Sequence, residues 1–276
     1  MTLILLPPSE GKTGRSRGRP VDFSALSFPE LNPVREQVLE TLAKVSASAD
    51  AYDVLGVGAS LQHEVDRNTR WRTEPAVPVS ELYSGVLYDA LGHATLSAGS
   101  KRRAGNRLLV VSAAWGALRP VDRVPPYRLS MGTTLPGHGP LASVWRDPLN
   151  AVLAEADGVI VDCRSSTYVA AWRPTGERAA KWVSVNVVRE RDGVRSVVSH
   201  NAKHTRGLVA RHLLESGKDP GTPKALHKLL SERWNAELDR AATGWTLTVV
   251  EHTPPVHSSP FHPLAARPSK DSPTGG

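Results

Sequence analysis

Apolar and polar positions alternate in two rhythms along the chain. Thr2–Leu6, Leu108–Ala113 and Gly158–Asp162 are continuous apolar runs of strand length and predict strands buried on both faces. Val34, Val38, Leu39, Leu42 and Val45 keep helical spacing behind Asn32-Pro33, with Asn as the predicted N-cap and Pro in the first turn. A second helical patch runs from about Asp50 to Leu55, stops at Gly56-Val57-Gly58 and resumes to about Arg70. Leu141–Ala156 is amphipathic with a helical period, and Lys203–Glu215 and Lys224–Leu238 predict two more helices. Val183–Arg189 and Val194–Ser199 alternate around Asp192-Gly193, a strong hairpin signal. Trp245–Glu251 predicts a closing strand. From Thr253 onward Pro, Ser and His dominate, which predicts a disordered tail over 253–276. The pattern as a whole predicts one α/β domain over 1–252 with a mixed central sheet.

One stretch breaks both rhythms. Ser112–Asp122 and Pro125–Gly132 set Gly116, Pro120, Pro125, Pro126 and Gly132 among Arg119, Asp122, Tyr127 and Arg128. Gly and Pro fix the backbone at definite points, so the polar residues between them point in definite directions. The segment follows a predicted strand, the usual place for a site in an α/β protein.

Charge narrows the partner. Of 276 residues, 34 are Lys or Arg and 27 Asp or Glu, a net charge of +7 that favours an anionic partner such as nucleic acid or a phosphate-bearing molecule. Cys163 is the one cysteine, which excludes an internal disulfide and suits a reducing cytoplasm. The opening apolar run ends at Pro7-Pro8, without the basic region of a signal peptide, and no stretch reaches membrane-spanning length.

Several blocks together resemble the YaaA family, the bacterial peroxide-stress proteins. Pro8-Ser-Glu-Gly-Lys-Thr13 looks like the family's Ser-Pro-Ala-Lys-Thr loop, and Leu82-Tyr-Ser-Gly85 like its Val-Tyr-x-Gly turn. Trp115–Asp122 resembles Tyr-Gly-Val-Leu-Arg-Pro-Leu-Asp, and Pro126–Gly132 resembles Pro-Tyr-Arg-Leu-Glu-Met-Gly. Asp162–Tyr168 is similar to Asn-Leu-Ala-Ser-x-x-Tyr, and Asn201–Arg211 to Ala-Lys-Lys-Ala-Arg-Gly-x-Met-x-Arg. The chain departs at Glu10-Gly11, Ser130 and Asp162. The resemblance implies a cytoplasmic role in limiting damage from hydrogen peroxide and intracellular iron. It also implies DNA binding through a basic cleft and a helix-hairpin-helix element.

The residues supply their own candidates. Gly56-Val57-Gly58 between two helical patches has the Gly-apolar-Gly form of a helix-hairpin-helix turn, whose amides approach phosphate; an ordinary helix connector is the competing reading. Gly11-Lys12-Thr13 suggests half a P-loop, but Leu6 stands where the first Gly belongs and Gly14–Pro20 cannot be a regular helix, which excludes a Walker-type site. Lys12, with Ser9 beside it, remains an anion contact. Lys203, Arg206 and Arg211 share a predicted helix start, where cations oppose the dipole unless an anion sits there. Asp122 is positioned to pair with Arg119 or Arg128, either for phosphate contact or as a structural lock. Tyr83, Tyr168 and Trp115 are stacking candidates or core filling.

The ten histidines are scattered, and no metal-ligand spacing stands out, so no metal or cofactor is expected. Two functions fit. One is DNA binding through Ser9, Lys12, Gly56, Gly58, Arg119, Tyr127, Arg128, Ser165, Lys203, Arg206 and Arg211. The other is an enzyme acting on a nucleotide or small anion, with Lys12, Asp122, Tyr168 and Lys203 as catalytic candidates. Both expect Lys12, Arg128 and Lys203 in one cleft, long and open for DNA or small and deep for an enzyme.

Overall fold

The strands that carry the fold in this computed structural model are β1 (Leu3–Leu6), β2 (Leu108–Ser112), β3 (Gly116–Leu118), β4 (Ile160–Asp162), β5 (Trp182–Arg191), β6 (Val194–Ser196), β7 (Asn235–Arg240) and β8 (Trp245–His252). The structure describes residues 1–154, 157–191, 193–197 and 199–252. The strands form one mixed eight-stranded sheet in the order β7-β8-β5-β4-β1-β2-β3, with β6 added to β5. The inner pairs β1/β2, β1/β4, β4/β5 and β5/β8 are parallel. The outer pairs β2/β3, β7/β8 and β5/β6 are antiparallel. β1 and β2 are buried at every residue, in keeping with their unbroken apolar runs.

The chain order reverses at the middle of the sheet. After β1 the chain builds β2 and β3 on one side, then returns to place β4, β5 and β8 on the other. β1 and β4 are parallel neighbours, with Leu5 opposite Asp162. The loops that follow them therefore diverge from the same sheet edge and open a crevice between them.

The helices that shape this edge are α1 (Asn32–Ser46), α2 (Ala51–Leu55), α3 (Gln62–Asn68), α4 (Val86–Leu91), α5 (Ala98–Arg107), α6 (Leu141–Leu153), α7 (Ser166–Val169), α8 (Ser199–Glu215) and α9 (Pro223–Ser231). α8 crosses α4 closely at Gly207, where a Cβ would lie 2.2 Å from the Leu87 carbonyl oxygen. That contact holds the Lys203 helix against the turn that begins at Gly85.

Four expectations are corrected. Asn32 is already helical; its side chain bonds the Phe23 carbonyl at 2.9 Å and Arg35 at 2.8 Å instead of capping. The second strand of the Gly193 hairpin ends at Ser196, and α8 starts at Ser199, so Lys203 lies one turn inside the helix. The helix expected over Lys224–Leu238 ends at Ser231, and Asn235–Arg240 is a strand, because it pairs along its length with β8 and tertiary pairing overrides a local helical pattern. The Gly116–Leu118 part of the central block is strand β3, wholly buried, with Gly116 at φ 66° where a Cβ would strike Trp145 at 2.6 Å. The tail expected from Thr253 lies outside the described residues.

A buried arginine ties the block to the core. Arg35 donates to the carbonyls of Trp115 (2.9 Å), Ala117 (2.9 Å), Ser27 (2.9 Å) and Phe28 (3.2 Å). Burial lowers its pKa to about 10 while Asp122 opposes the shift. The described residues make one α/β domain.

Candidate functional site

Beyond the ends of β1 and β4 lies a cavity of about 570 Å³. Its walls come from Pro7–Lys12 after β1, Leu55–Val57 at the α2–α3 turn, Ser84–Tyr88 at the start of α4 and Arg128–Ser130. Cys163, Ser165, Thr167 and Tyr168 after β4, and Lys203 and Arg206 on α8, complete them. Four cations line it, Lys12, Arg128, Lys203 and Arg206, against one carboxylate, Glu10.

Lys12 is held from both sides. It forms a one-residue antiparallel bridge with Tyr83, and the next amide, Thr13, donates to the Leu82 carbonyl at 2.8 Å. Ser84 N donates to Ser9 Oγ (3.2 Å) and Gly11 O (3.3 Å), and Tyr88 Oη donates to Pro7 O (2.6 Å). So pinned, Lys12 Nζ donates to Ser9 O (2.8 Å) and Glu10 O (3.3 Å). It sits 4.3 Å from the ring centre of Tyr127 and 5.8 Å from that of Tyr83. No carboxylate of the described residues forms an ion pair with it. Burial, and then the Arg128 charge, lower its pKa to about 7, against weaker opposition from Glu64 and Glu10.

Beneath Lys12, hydroxyls link Tyr83 to Tyr127 (3.0 Å) and Tyr127 to Ser112 (2.7 Å). Ser112 Oγ accepts from the amides of Ala114 (3.2 Å) and Trp115 (3.0 Å). Burial raises the phenols of Tyr83 and Tyr127, so both stay neutral. Tyr168, in the opposite wall, is pushed up to about 12 by burial, opposed by a hydrogen bond with the Met131 backbone.

Arg128 is placed by Asn68, which accepts from its amide (2.8 Å) and donates to its carbonyl (3.0 Å). Its guanidinium meets Glu64 at 3.3 Å and Glu10 at 3.9 Å. The β4 loop is shaped by a buried pair. The Arg164 side chain grips Asp162 with two bonds of 2.8 and 2.7 Å, its amide adds one at 3.1 Å, and Trp182 Nε1 adds another at 3.0 Å. Arg164 also donates to the carbonyls of Tyr168 (3.1 Å) and Trp172 (2.8 Å), which aims Ser165 and Tyr168 at the cavity. Burial alone would raise the Asp162 carboxyl; Arg164 outweighs it and holds the group below the usual carboxylate range. Cys163 is fully buried in the wall, its thiol pushed up to about 12 by burial, with Arg206 opposing.

The structure thus brings Ser9, Lys12, Gly56, Arg128, Ser165, Tyr168, Lys203 and Arg206 together. Gly58, Arg119, Asp122, Tyr127 and Arg211 are not in the lining. Arg119 caps the end of α5, donating to Gly105 O (2.9 Å) and Asn106 O (3.0 Å). Arg211 does the same for α4 at Leu91 O (3.1 Å) and Gly92 O (3.2 Å). Each answers carbonyls that a helix leaves unpaired at its C-terminus. Asp122 is buried and staples loops together, accepting from Ser27 N (2.8 Å), Ser27 Oγ (2.9 Å) and Arg119 N (2.7 Å). It pairs with neither guanidinium. Tyr127 lies behind the site, its ring under Lys12, and Trp115 and Tyr83 are buried.

At the expected hairpin the first glycine closes the helix before it. Gly56 adopts φ 64° and ends α2; its amide donates to Asp53 O (3.2 Å) and the Val57 amide to Tyr52 O (3.0 Å). This is a Schellman closure, so both amides are engaged within the protein. Gly58 has φ −84° and ψ 161°, extended backbone open to any residue. Sequence reasoning missed Asn68 and Glu64 as the groups that set Arg128, because their spacing from it carries no local signal. Among the described residues no group of three or more His, Cys, Asp or Glu side chains is placed to hold a metal ion.

A mixed α/β sheet with a cation-lined cavity at its switch point defines the class of protein. Residues 2–239 match the family described as peroxide stress protein YaaA, and the chain belongs to that family. A UPF0246 protein of Streptomyces coelicolor is 45% identical over 258 residues, covering 91% of this chain and 98% of the relative. A UPF0246 protein of Corynebacterium efficiens is 42% identical over 224 residues, covering 80% of this chain and 88% of that one. Another, from a Ruegeria species, is 29% identical over 226 residues, covering 79% and 87%. No helix among the described residues is long and apolar enough to cross a membrane.

Proposed function

We propose that this chain acts in peroxide stress by binding DNA, and that its cavity takes one phosphate-bearing nucleotide unit from it. The observation that carries this reading is the meeting of Lys12, Arg128, Lys203 and Arg206 in one space of about 570 Å³. A space of that size encloses a small molecule and not a double helix. The unit it accepts is therefore a strand end or a nucleotide turned out of the stack. Phosphate supplies the charge that Glu10 leaves unbalanced, and exposed Lys203 receives the flanking backbone.

Fluorescence anisotropy with intact duplex, with duplex carrying one unpaired nucleotide, and with a free mononucleotide as competitor tests this. Affinity is expected to fall steeply with salt and to be highest for the unpaired nucleotide. Arg206→Met is expected to weaken it about 10-fold, the worth of one charge-assisted phosphate contact. Absence of any complex at low salt overturns the reading. The enclosed shape favours a second reading, a free nucleotide as the ligand; a mononucleotide that binds tightly where DNA does not selects it.

A further inference from the structure

We propose that Lys12 is a nucleophile that captures an aldehyde carried on a phosphate ester, joining it to Nζ as an imine. The inference deepens the reading of the cavity as a phosphate-ester site and rests on it.

Three observations point there. Lys12 Nζ has two protein acceptors, Ser9 O at 2.8 Å and Glu10 O at 3.3 Å. Both the ammonium and the neutral amine can make these two bonds; in the neutral amine they use its two N–H bonds and leave the lone pair free. No carboxylate of the described residues pairs with it, so the Tyr127 ring 4.3 Å beneath it and the two carbonyls are what steady its ammonium form, without the ion pair that would lock the proton in place. Around the same cavity stand Arg128, Lys203 and Arg206, a cation set suited to phosphate.

Burial and a neighbouring cation are the two standard ways to activate a lysine amine, and both act here, lowering its pKa to about 7. The charged and titratable groups that face it are Arg128, Glu64 from α3, Glu10 from its own loop, and the phenols of Tyr83 and Tyr127. The other ionisable groups of the cavity fit hydrolytic chemistry poorly. Glu10 is the lone carboxylate of the lining, exposed and turned toward Arg128, and the Cys163 thiol is raised to about 12.

Amine capture of a carbonyl needs no such base. The Nζ lone pair adds to the aldehyde carbon, and a proton moves from nitrogen to the new oxygen. The carbinolamine then loses its hydroxyl and a proton as water. Aldehyde plus amine gives imine plus water. Tyr168, protonated at neutral pH, is the acid in the cavity that can help the hydroxyl leave.

Two sources carry this group, an abasic deoxyribose in DNA and a free sugar phosphate. The full chain is incubated with abasic-site duplex, and separately with glyceraldehyde 3-phosphate, under cyanoborohydride. This reduces any imine to a stable amine, and peptide mass mapping locates it. The expected result is an adduct on Lys12 at least 10-fold above that on Lys203, at a rate that rises with pH through about 7. It is expected to be lost in Lys12→Arg. Mapping the unaltered chain keeps the test independent of how that variant folds. No adduct from either aldehyde, or adducts spread over exposed lysines with none preferred, overturns the inference. Binding of duplex with a tetrahydrofuran abasic analogue, which lacks the aldehyde, separates the two readings. Binding without any Lys12 adduct removes the imine and keeps the DNA site; a Lys12 adduct from glyceraldehyde 3-phosphate without DNA binding removes the DNA site and keeps the imine.

Discussion

β1 and β4 end side by side, and the loop after each delivers a cation, yet the two cations have opposite fates. Arg164, after β4, is fully buried and gripped two-pronged by Asp162, which is 1% exposed. Lys12, after β1, meets two carbonyls and a tyrosine face and no carboxylate. A paired charge has its field cancelled and its proton locked, so it serves as a bolt. An unpaired, desolvated amine keeps an outward field and a proton that leaves near neutrality. Position at the switch point brings residues to a site; pairing decides which of them are chemically available.

The strongest way to break the comparison is to strip the bolt. Asp162→Ala leaves the Arg164 charge buried without a partner and is expected to lower stability by about 3–5 kcal/mol, a fall in Tm of roughly 10 °C. Calorimetry checks it, and a shift below about 2 °C would show that the pair carries little of the β4 loop.

The opposite is expected at Lys12. Its folded pKa, about 7, lies below the unfolded value of about 10.4. Below pH 7 both states hold the proton, and the folded state bears the penalty of a partly buried ammonium. Between the two values the unfolded chain binds a proton that the folded chain has shed, so stability rises with pH. Lys12→Met is therefore expected to be more stable than the parent at pH 6, with the gap closing toward pH 10. Each pKa unit the shift spans contributes about 1.4 kcal/mol. Urea titrations at pH 6, 8 and 10 measure it; a gap independent of pH would mean the amine is solvated.

Arg128→Met sharpens the contrast by removing the cation that acts on Lys12. Phosphate-ligand affinity is expected to drop about 10-fold, and the pH midpoint of amine reactivity to move upward toward the ordinary lysine range. An unmoved midpoint would leave burial as the sole cause.

The smallest effects are expected at the α2–α3 turn. Gly56→Ala forces a side chain into a left-handed conformation and is expected to destabilise by about 1–2 kcal/mol; Gly58→Ala should stay within about 0.5 kcal/mol. Neither should change ligand affinity of the folded protein, since the amides of Gly56 and Val57 already bond within the chain. Loss of binding in a folded Gly56→Ala protein would return those amides to the site.

What could be read without coordinates was the part governed by near neighbours. Unbroken apolar runs marked β1, β2 and β4, the Gly193 turn marked a hairpin, and helical spacing marked α1 and α6, because local periodicity reports which face of an element is buried. The cationic segments that line the cavity were also visible, as charged residues beside strand ends and glycines. The tertiary structure alone decided which charges were already answered. Arg119 and Arg211 looked like Arg128 and Arg206, but they end on helix carbonyls more than ten residues away in sequence. Asp122 looked like a catalytic acid and is a buried staple to Ser27, 95 residues distant. The helix expected over Lys224–Leu238 stops at Ser231, and Asn235–Leu238 became part of a strand because β8 lay beside it. The depressed pKa of Lys12 arises first from burial and then from Arg128, imposed by segments far along the chain. Hydrogen bonds and electrostatic fields act through space, and the spacing of residues along a chain does not say which groups will meet.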